Sequence, residues 1–363
     1  MSSLWNNGIS ISIFGESHGK AIGVVIDNLP PGETINNDQL LRFMSRRAPK
    51  NDVISTPRKE KDIPIILSGL KDGKTTGAPL VAMIENSDTH SSDYSEMSQK
   101  ARPGHADYTG FLRYNGFNDI RGSGHFSGRL TAPLTFAGAV AAQILERRNI
   151  YTAGHIFAIQ NISDTPFDTV HFSKEDVLRL HDRDFPTIDP KAELMMKSAI
   201  DAARMDCDSV GGIIELCTVG FPAGIGSPMF DGLENAISSI MFGIPAVKGI
   251  SFGAGFDVCD LYGSQNNDAF YTDENGEIKT RTNNHGGILG GISSGMPISM
   301  KIAMKPTPSI SKTQDTVDFL EHRNTTISVR GRHDPCVVPR AVPVAEAALN
   351  IALLGQLIKA GIK

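Results

Sequence analysis

Thr131-Ala-Pro-Leu-Thr-Phe-Ala-Gly-Ala-Val-Ala-Ala142 and Arg340-Ala-Val-Pro-Val-Ala-Glu-Ala-Ala-Leu-Asn-Ile-Ala352 decide the fold. Each places a proline (Pro133, Pro343) near the start of an Ala-rich run, where a helix tolerates it. Each is apolar almost all round instead of along one stripe, and a helix without a polar face belongs inside a protein. The pattern predicts two central helices, at about 131–148 and 339–360, with sheets covering both sides of them.

Working outward, Ile9, Ile11 and Ile13 alternate with Ser10 and Ser12, the period of a half-buried strand, which breaks at Gly15. A second strand, Ile22 to Asp27, runs into Leu29-Pro-Pro-Gly32. Asn36 or Asn37 caps a helix that carries Leu40, Leu41 and Met44 on one face and Arg42, Arg46 and Arg47 toward its C-terminal end. Further strands are expected at 63–68, 79–85, 210–219, 247–252 and 296–304, and helices at 190–206 and 231–242. The order has no regular βαβ rhythm, so the class is α+β. Leu29-Pro-Pro-Gly32, Gly77-Ala-Pro-Leu80 and Pro133 are echoed in the same order by Phe221-Pro-Ala-Gly224, Gly295-Met-Pro-Ile298 and Pro343. That echo predicts one domain, 1–363, with internally duplicated halves at approximately 1–150 and 205–363.

The chain has 363 residues and 35 Lys plus Arg against 40 Asp plus Glu. A net charge of −5 supplies no general field for nucleic acid, so an anionic ligand must find a local cluster. The densest is residues 42–61, with seven basic and two acidic side chains. It reads either as a solvated helix end and loop or as an arm that closes on a phosphate. The four cysteines have no zinc-ligand spacing, and no uninterrupted apolar run reaches about 18 residues. A cytoplasmic protein without structural metal or membrane partner is the expectation.

Several Gly-bounded loops carry titratable or cationic side chains. They are Gly15-Glu-Ser-His-Gly19, Arg102-Pro-Gly-His-Ala-Asp107, Arg121-Gly-Ser-Gly-His-Phe-Ser-Gly-Arg129, Asn284-His-Gly-Gly-Ile-Leu-Gly-Gly-Ile-Ser-Ser294, Lys305-Pro-Thr-Pro-Ser309 and Arg332-His-Asp-Pro-Cys336. Arg102 offers a fork for phosphate or carboxylate. The 121–129 loop precedes a central helix and can cradle an anion, although it is neither a Walker loop nor a Rossmann turn. The 284–294 loop could lie flat against a planar ring. Taken singly, each is as well explained as a turn.

Together these motifs, in this order, resemble the chorismate synthase family along nearly the whole chain. The sequence departs from the family pattern where His125 and Leu130 replace an arginine and a glutamate, where Val53 replaces an arginine, and where Pro245 replaces an asparagine before Ala246. The resemblance implies a β-α-β sandwich, central helices between two antiparallel sheets, assembled as a homotetramer. It implies a lyase that removes phosphate from 5-enolpyruvylshikimate 3-phosphate by 1,4-anti-elimination to give chorismate, the last step of the shikimate pathway. Reduced FMN is required without net redox change, with NADPH as ultimate reductant; since the sequence has no Rossmann fingerprint for a nicotinamide site, a separate flavin reductase is a candidate partner.

Roles carry over residue by residue. The resemblance makes His18 the acid for the departing phosphate, places His105 beside the flavin, and gives Asp334 a part in proton removal through the flavin N5, with Ser17 and Ser127 as relays. Arg47, Arg129 and Arg332 would hold substrate anions. His125, Phe126, Ser127, Pro245, Ala246, Gly290, Lys305, Pro306, Thr307, Pro308, Ser309 and Arg332 would contact the flavin. A homologue that binds flavin without elimination, or binds phosphorylated metabolites without catalysis, is the alternative, and the altered residues at 125 and 130 are its motive.

Overall fold

The computed structural model describes residues 3–49, 62–86, 99–329 and 334–362. Two five-stranded sheets, antiparallel at every pairing, are built from different parts of the chain. The first runs Leu4–Asn7, Ile9–Gly15, Ala21–Asp27, Leu80–Glu85, Ile65–Ser68 in spatial order. Its registry sets Ile11 opposite Ile26 and Val24 opposite Ala82, which turns the apolar residues of neighbouring strands to the same face. The second runs Val247–Phe252, Ile298–Met304, Gly212–Val219, Tyr151–Ile159, Ile162–Ser163.

The two decisive helices are observed at Thr131–Glu146 and Val338–Lys359. Fifteen of the sixteen residues of the first are buried, which is the physical outcome of a run with no polar face. It packs on Ile9–Gly15, Ala21–Asp27 and Leu80–Glu85, and on the Val338–Lys359 helix, which in turn packs on Tyr151–Ile159 and Gly212–Val219. Gly138 lets the two helices touch, because a Cβ there would overlap the backbone of Ala347. The Val338–Lys359 helix is long and apolar enough to cross a membrane, yet 94% of its most apolar window is buried inside the protein. Its one acidic side chain, Glu346, is fully buried and bound bidentately by Arg46 at 2.5 and 2.8 Å, with a third hydrogen bond from the Gly154 N–H.

Asn36 caps the Asn37–Arg47 helix by accepting from the Gln39 N–H at 3.0 Å, and Leu40, Met44 and Arg47 are its buried residues. Of the basic run at 42–61, Arg42, Arg46 and Arg47 lie in this helix; Val53 and the rest of 50–61 lie outside the described residues. The Tyr151–Ile159 strand, the Lys174–His181 helix and the Asp107–Tyr114 helix were not anticipated. The strand is buried on both faces and so shows no alternation to read.

The echoed motifs adopt matching geometry. Thr75 Oγ1 donates to the Pro30 carbonyl at 2.6 Å and accepts from the Glu33 N–H at 2.9 Å. Ser293 Oγ donates to the Pro222 carbonyl at 2.6 Å and accepts from the Ile225 N–H at 2.9 Å.

Candidate active site

A cavity of about 570 Å³ opens where segments 102–106, 122–131, 242–248, 304–309 and 334–344 meet the end of the Asn37–Arg47 helix. Among the described residues, its basic wall residues are Arg47, Arg102, Arg129, Lys248, Lys305 and Arg340, against the single carboxylate of Asp334. Six cations around one carboxylate among the described residues, in a chain with a net charge of −5, concentrate positive potential where a ligand would lie. Phe126, Ile244, Pro245, Met304, Pro308 and Val344 supply an apolar surface between them.

Arg47 is held from all sides. Its Nε donates to Thr131 Oγ1 at 3.0 Å and its Nη2 to the Gly128 carbonyl at 3.2 Å, while Nη1 pairs with Asp62. Asp62 also pairs with Arg129, whose Nε donates to Asn86 Oδ1 at 3.1 Å. The Asp62 carboxylate, only 3% exposed, therefore lies between two cavity-wall cations. Burial alone would raise its pKa, but the charges and hydrogen bonds of Arg47 and Arg129 hold it below the usual carboxylate range. Burial lowers the pKa of Arg47 and nearby Arg340 and Arg129 add to that effect, with Asp62 opposing it. Arg340 in turn donates to the Arg47 carbonyl at 3.1 Å and pairs with Asp334 at 2.6 Å.

The loop at 121–126 has left-handed backbone at Gly122, Ser123 and Gly124, and Ser123, at φ 71°, pays for its lack of glycine with strain. This loop interlocks with Gly15–Gly19. The Ser17 N–H donates to the Gly124 carbonyl at 3.1 Å, and His125 Nδ1 donates to the Gly15 carbonyl at 2.8 Å. His125 Nε2 lies 2.5 Å from Ser3 Oγ, so the side chain that departs from the family pattern ties the loop to the amino-terminal strand segment. Ser17 and His18 are buried behind Gly122, with His18 Nδ1 3.3 Å from Ser17 Oγ. Neither reaches the cavity wall, but a Cβ on Gly122, which is on the wall, would collide with the His18 ring.

His105 is on the wall, and burial pushes its pKa down, with Asp107 opposing and the charges of Arg102 and Lys305 adding to the shift. Arg102 does not present its fork to the cavity as the sequence suggested; it spends Nε and Nη2 on Asp107, at 2.7 and 2.6 Å. Burial pushes the Lys305 pKa down and Lys248 adds to the effect, so these two ammonium groups favour an anion between them. Ala246, at φ 77°, is a second strained wall residue; its carbonyl accepts the Lys305 N–H at 3.0 Å.

Of the expected site residues, Arg47, His105, His125, Phe126, Ser127, Arg129, Pro245, Ala246, Lys305, Thr307, Pro308, Ser309 and Asp334 line this one cavity. Pro306 is between two of them. Arg332 lies outside the described residues. Gly290 is elsewhere. Its hairpin, Ile288–Leu289 with Ile292–Ser293, caps the start of the Leu233–Met241 helix through the Gly291 carbonyl, whereas the cavity touches 242–248 beyond that helix's other end. No residue of the 284–294 loop lines this cavity within the chain. Asp62, Asp107, Lys248 and Arg340 were not anticipated as site residues. Asp107 and Arg340 stand inside quoted motifs, where their spacing to His105 and Asp334 was the available signal.

A model of the family described as chorismate synthase matches residues 9–358. The chain belongs to the chorismate synthase family. It is 44% identical over 350 residues to "Chorismate synthase" of Pyrococcus abyssi, covering 96% of each chain. It is 43% identical to that of Methanothermobacter thermautotrophicus, covering 97% of this chain and 92% of the relative. A crystal structure of chorismate synthase superposes with a TM-score of 0.76 at 26% identity, covering 97% of this chain and 92% of the other. Membership makes the chain a lyase of aromatic amino acid biosynthesis, in a family that uses reduced flavin. The cavity suits such a group: its volume is in the range of cofactor sites, it has an apolar wall for a ring system, and Lys248 and Lys305 stand ready for a phosphate.

Proposed function

We propose that this chain converts 5-enolpyruvylshikimate 3-phosphate to chorismate by 1,4-anti-elimination of phosphate, the last step of the shikimate pathway, with reduced FMN. The observation that carries the reading is the gathering of six cations and His105 around one cavity in an acidic chain that belongs to this family.

Arg47 and Arg129 hold the substrate's anionic groups, and the Asp62 carboxylate paired with both offsets part of their mutual repulsion. His18 is the proton donor for the departing phosphate in this reading, acting from behind Gly122 and not from the wall itself, with Ser17 Oγ 3.3 Å from its ring. Asp334 is the carboxylate on the wall that takes part in proton removal, and Arg340 sets its position at 2.6 Å. Ser127 serves as a hydrogen-bonding relay, and Arg332 is a further cation assigned to the substrate's anionic groups. FMN, when bound, lends the reaction electron density and recovers it. Lys305 to Ser309, Pro245, Ala246 and His125 to Ser127 would hold it, and His105 would face it.

NADPH as ultimate reductant, a separate reductase, a homotetramer and a cytoplasmic setting belong to the same reading. So does a β-α-β sandwich of duplicated halves. Its support is the matched Thr75 and Ser293 geometry and the equivalent place of the two central helices after corresponding strands. Anaerobic incubation with reduced FMN and substrate tests the function, with chorismate formation expected. Flavin binding without any chorismate would instead favour a homologue that has lost elimination.

A further inference from the structure

His105 Nδ1 has two neighbours that ask opposite things of it: Arg102 Nη2 at 3.1 Å, a donor, and Asp107 Oδ1 at 2.9 Å, an acceptor. Counting hydrogens decides between them. Arg102 Nη2 carries two, and it has two shorter contacts with groups that can only accept from it, Asp107 Oδ1 at 2.6 Å and Ser123 Oγ at 3.0 Å. Of the other donors of Arg102, Nε bonds Asp107 Oδ2 at 2.7 Å and one Nη1 hydrogen bonds Ser309 Oγ at 3.1 Å. Asp107 Oδ2 takes a further bond from the Arg102 backbone N–H at 2.9 Å. Asp107 Oδ1 accepts from Arg102 and has a second lone pair free for the imidazole. The proton therefore belongs on Nδ1.

We propose that Asp107, fixed by Arg102, is a positioning residue for His105: it keeps the proton of the neutral ring on Nδ1 and leaves Nε2 as the atom that exchanges a proton with the cavity's occupant. Nε2 has no hydrogen-bond partner among the described residues, and the ring is on the cavity wall. The inference rests on the reading of His105 as the group facing the flavin. It concerns this chain's own proton placement and can be observed without cofactor. The charged groups that act on the ring are Asp107, Arg102 and Lys305. Among them Asp107 alone favours the imidazolium, and its own carboxyl, pushed up by burial, is held well below the ordinary range by the hydrogen bonds of Arg102 and His105.

Nitrogen-15 NMR of histidine-labelled protein, with His105 assigned by the signal lost in His105→Gln, reads the tautomer directly. The wild-type ring is expected to carry its proton on Nδ1. In Asp107→Asn the amide can donate to the ring, so the proton should move to Nε2, the titration midpoint should fall, and kcat should drop by about 100-fold or more. Asp107→Glu, which retains the anion, should restore the Nδ1 proton and part of kcat. A wild-type spectrum with the proton on Nε2 would overturn the proposal even if the Asn variant failed to fold. So would Asp107→Asn with an unchanged tautomer and near-wild-type kcat. If His105→Gln itself turns over normally, the flavin-side role of His105 fails while the tautomer assignment stands.

Discussion

A methyl group on Gly122 has nowhere to go: it would enter the His18 ring and come within 2.8 Å of Ser17 Oγ. The backbone there, at φ 56°, also disfavours any side chain. Gly122→Ala is expected to displace His18, and since a misplacement of this kind far exceeds the tolerance of proton transfer, kcat should fall by about 100-fold. The left-handed residue itself costs about 1–2 kcal/mol of stability, so the melting temperature should fall by a few degrees only. Turnover equal to wild type at saturating substrate would mean that His18 does not act from where it lies. His18 and Ser17 were legible in the sequence as members of a Gly-bounded loop. That Gly122 makes their space was not, because the two loops are about a hundred residues apart and meet only through packing.

Strand Tyr151–Ile159 brings His155 into a fully buried position between Asp164, at 3.0 Å, and Glu215, at 2.8 Å, with Lys301 3.6 Å from the same glutamate. Burial pushes the His155 pKa down, but hydrogen bonds to both carboxylates push it up further, and the net direction is upward. A folded pKa above the unfolded value means that the charged ring's contribution is complete below about pH 6.5 and is lost as pH rises through the folded value. His155→Gln should therefore destabilise the protein more at about pH 6 than at about pH 9 in paired urea titrations. Equal losses at both would show that His155 is held neutral. At this scale the sequence was read well where one face is buried, as in Ile9–Gly15 and Asn37–Arg47. It failed for the Tyr151–Ile159 strand, whose two buried faces erase the period of two.

Across the whole molecule, the central helices bring together loops from both ends of the chain, and the cavity draws on residues from 47 to 344. No Rossmann fingerprint occurs in the sequence, and four of the cavity's cations, Arg47, Arg102, Arg129 and Arg340, are paired with Asp62, Asp107 and Asp334. With oxidised FMN, NADPH and substrate in aerobic buffer, the purified protein should make negligible chorismate until a flavin reductase or chemical reductant is added. Comparable rates without that addition would show that the cavity admits NADPH itself. The sequence by itself determined the two buried helices, most strands of the two five-stranded sheets, the family and thirteen of the side chains on the cavity wall, because apolar periodicity, turn residues and motif order are properties of adjacent residues. Only the tertiary structure decided that Arg102 serves Asp107 and not a ligand, that Asp62 bridges Arg47 and Arg129, and that Gly290 lies beyond the far end of a helix. Those outcomes depend on which side chains packing brings within about 3 Å, where a charge finds its partner regardless of its distance along the chain.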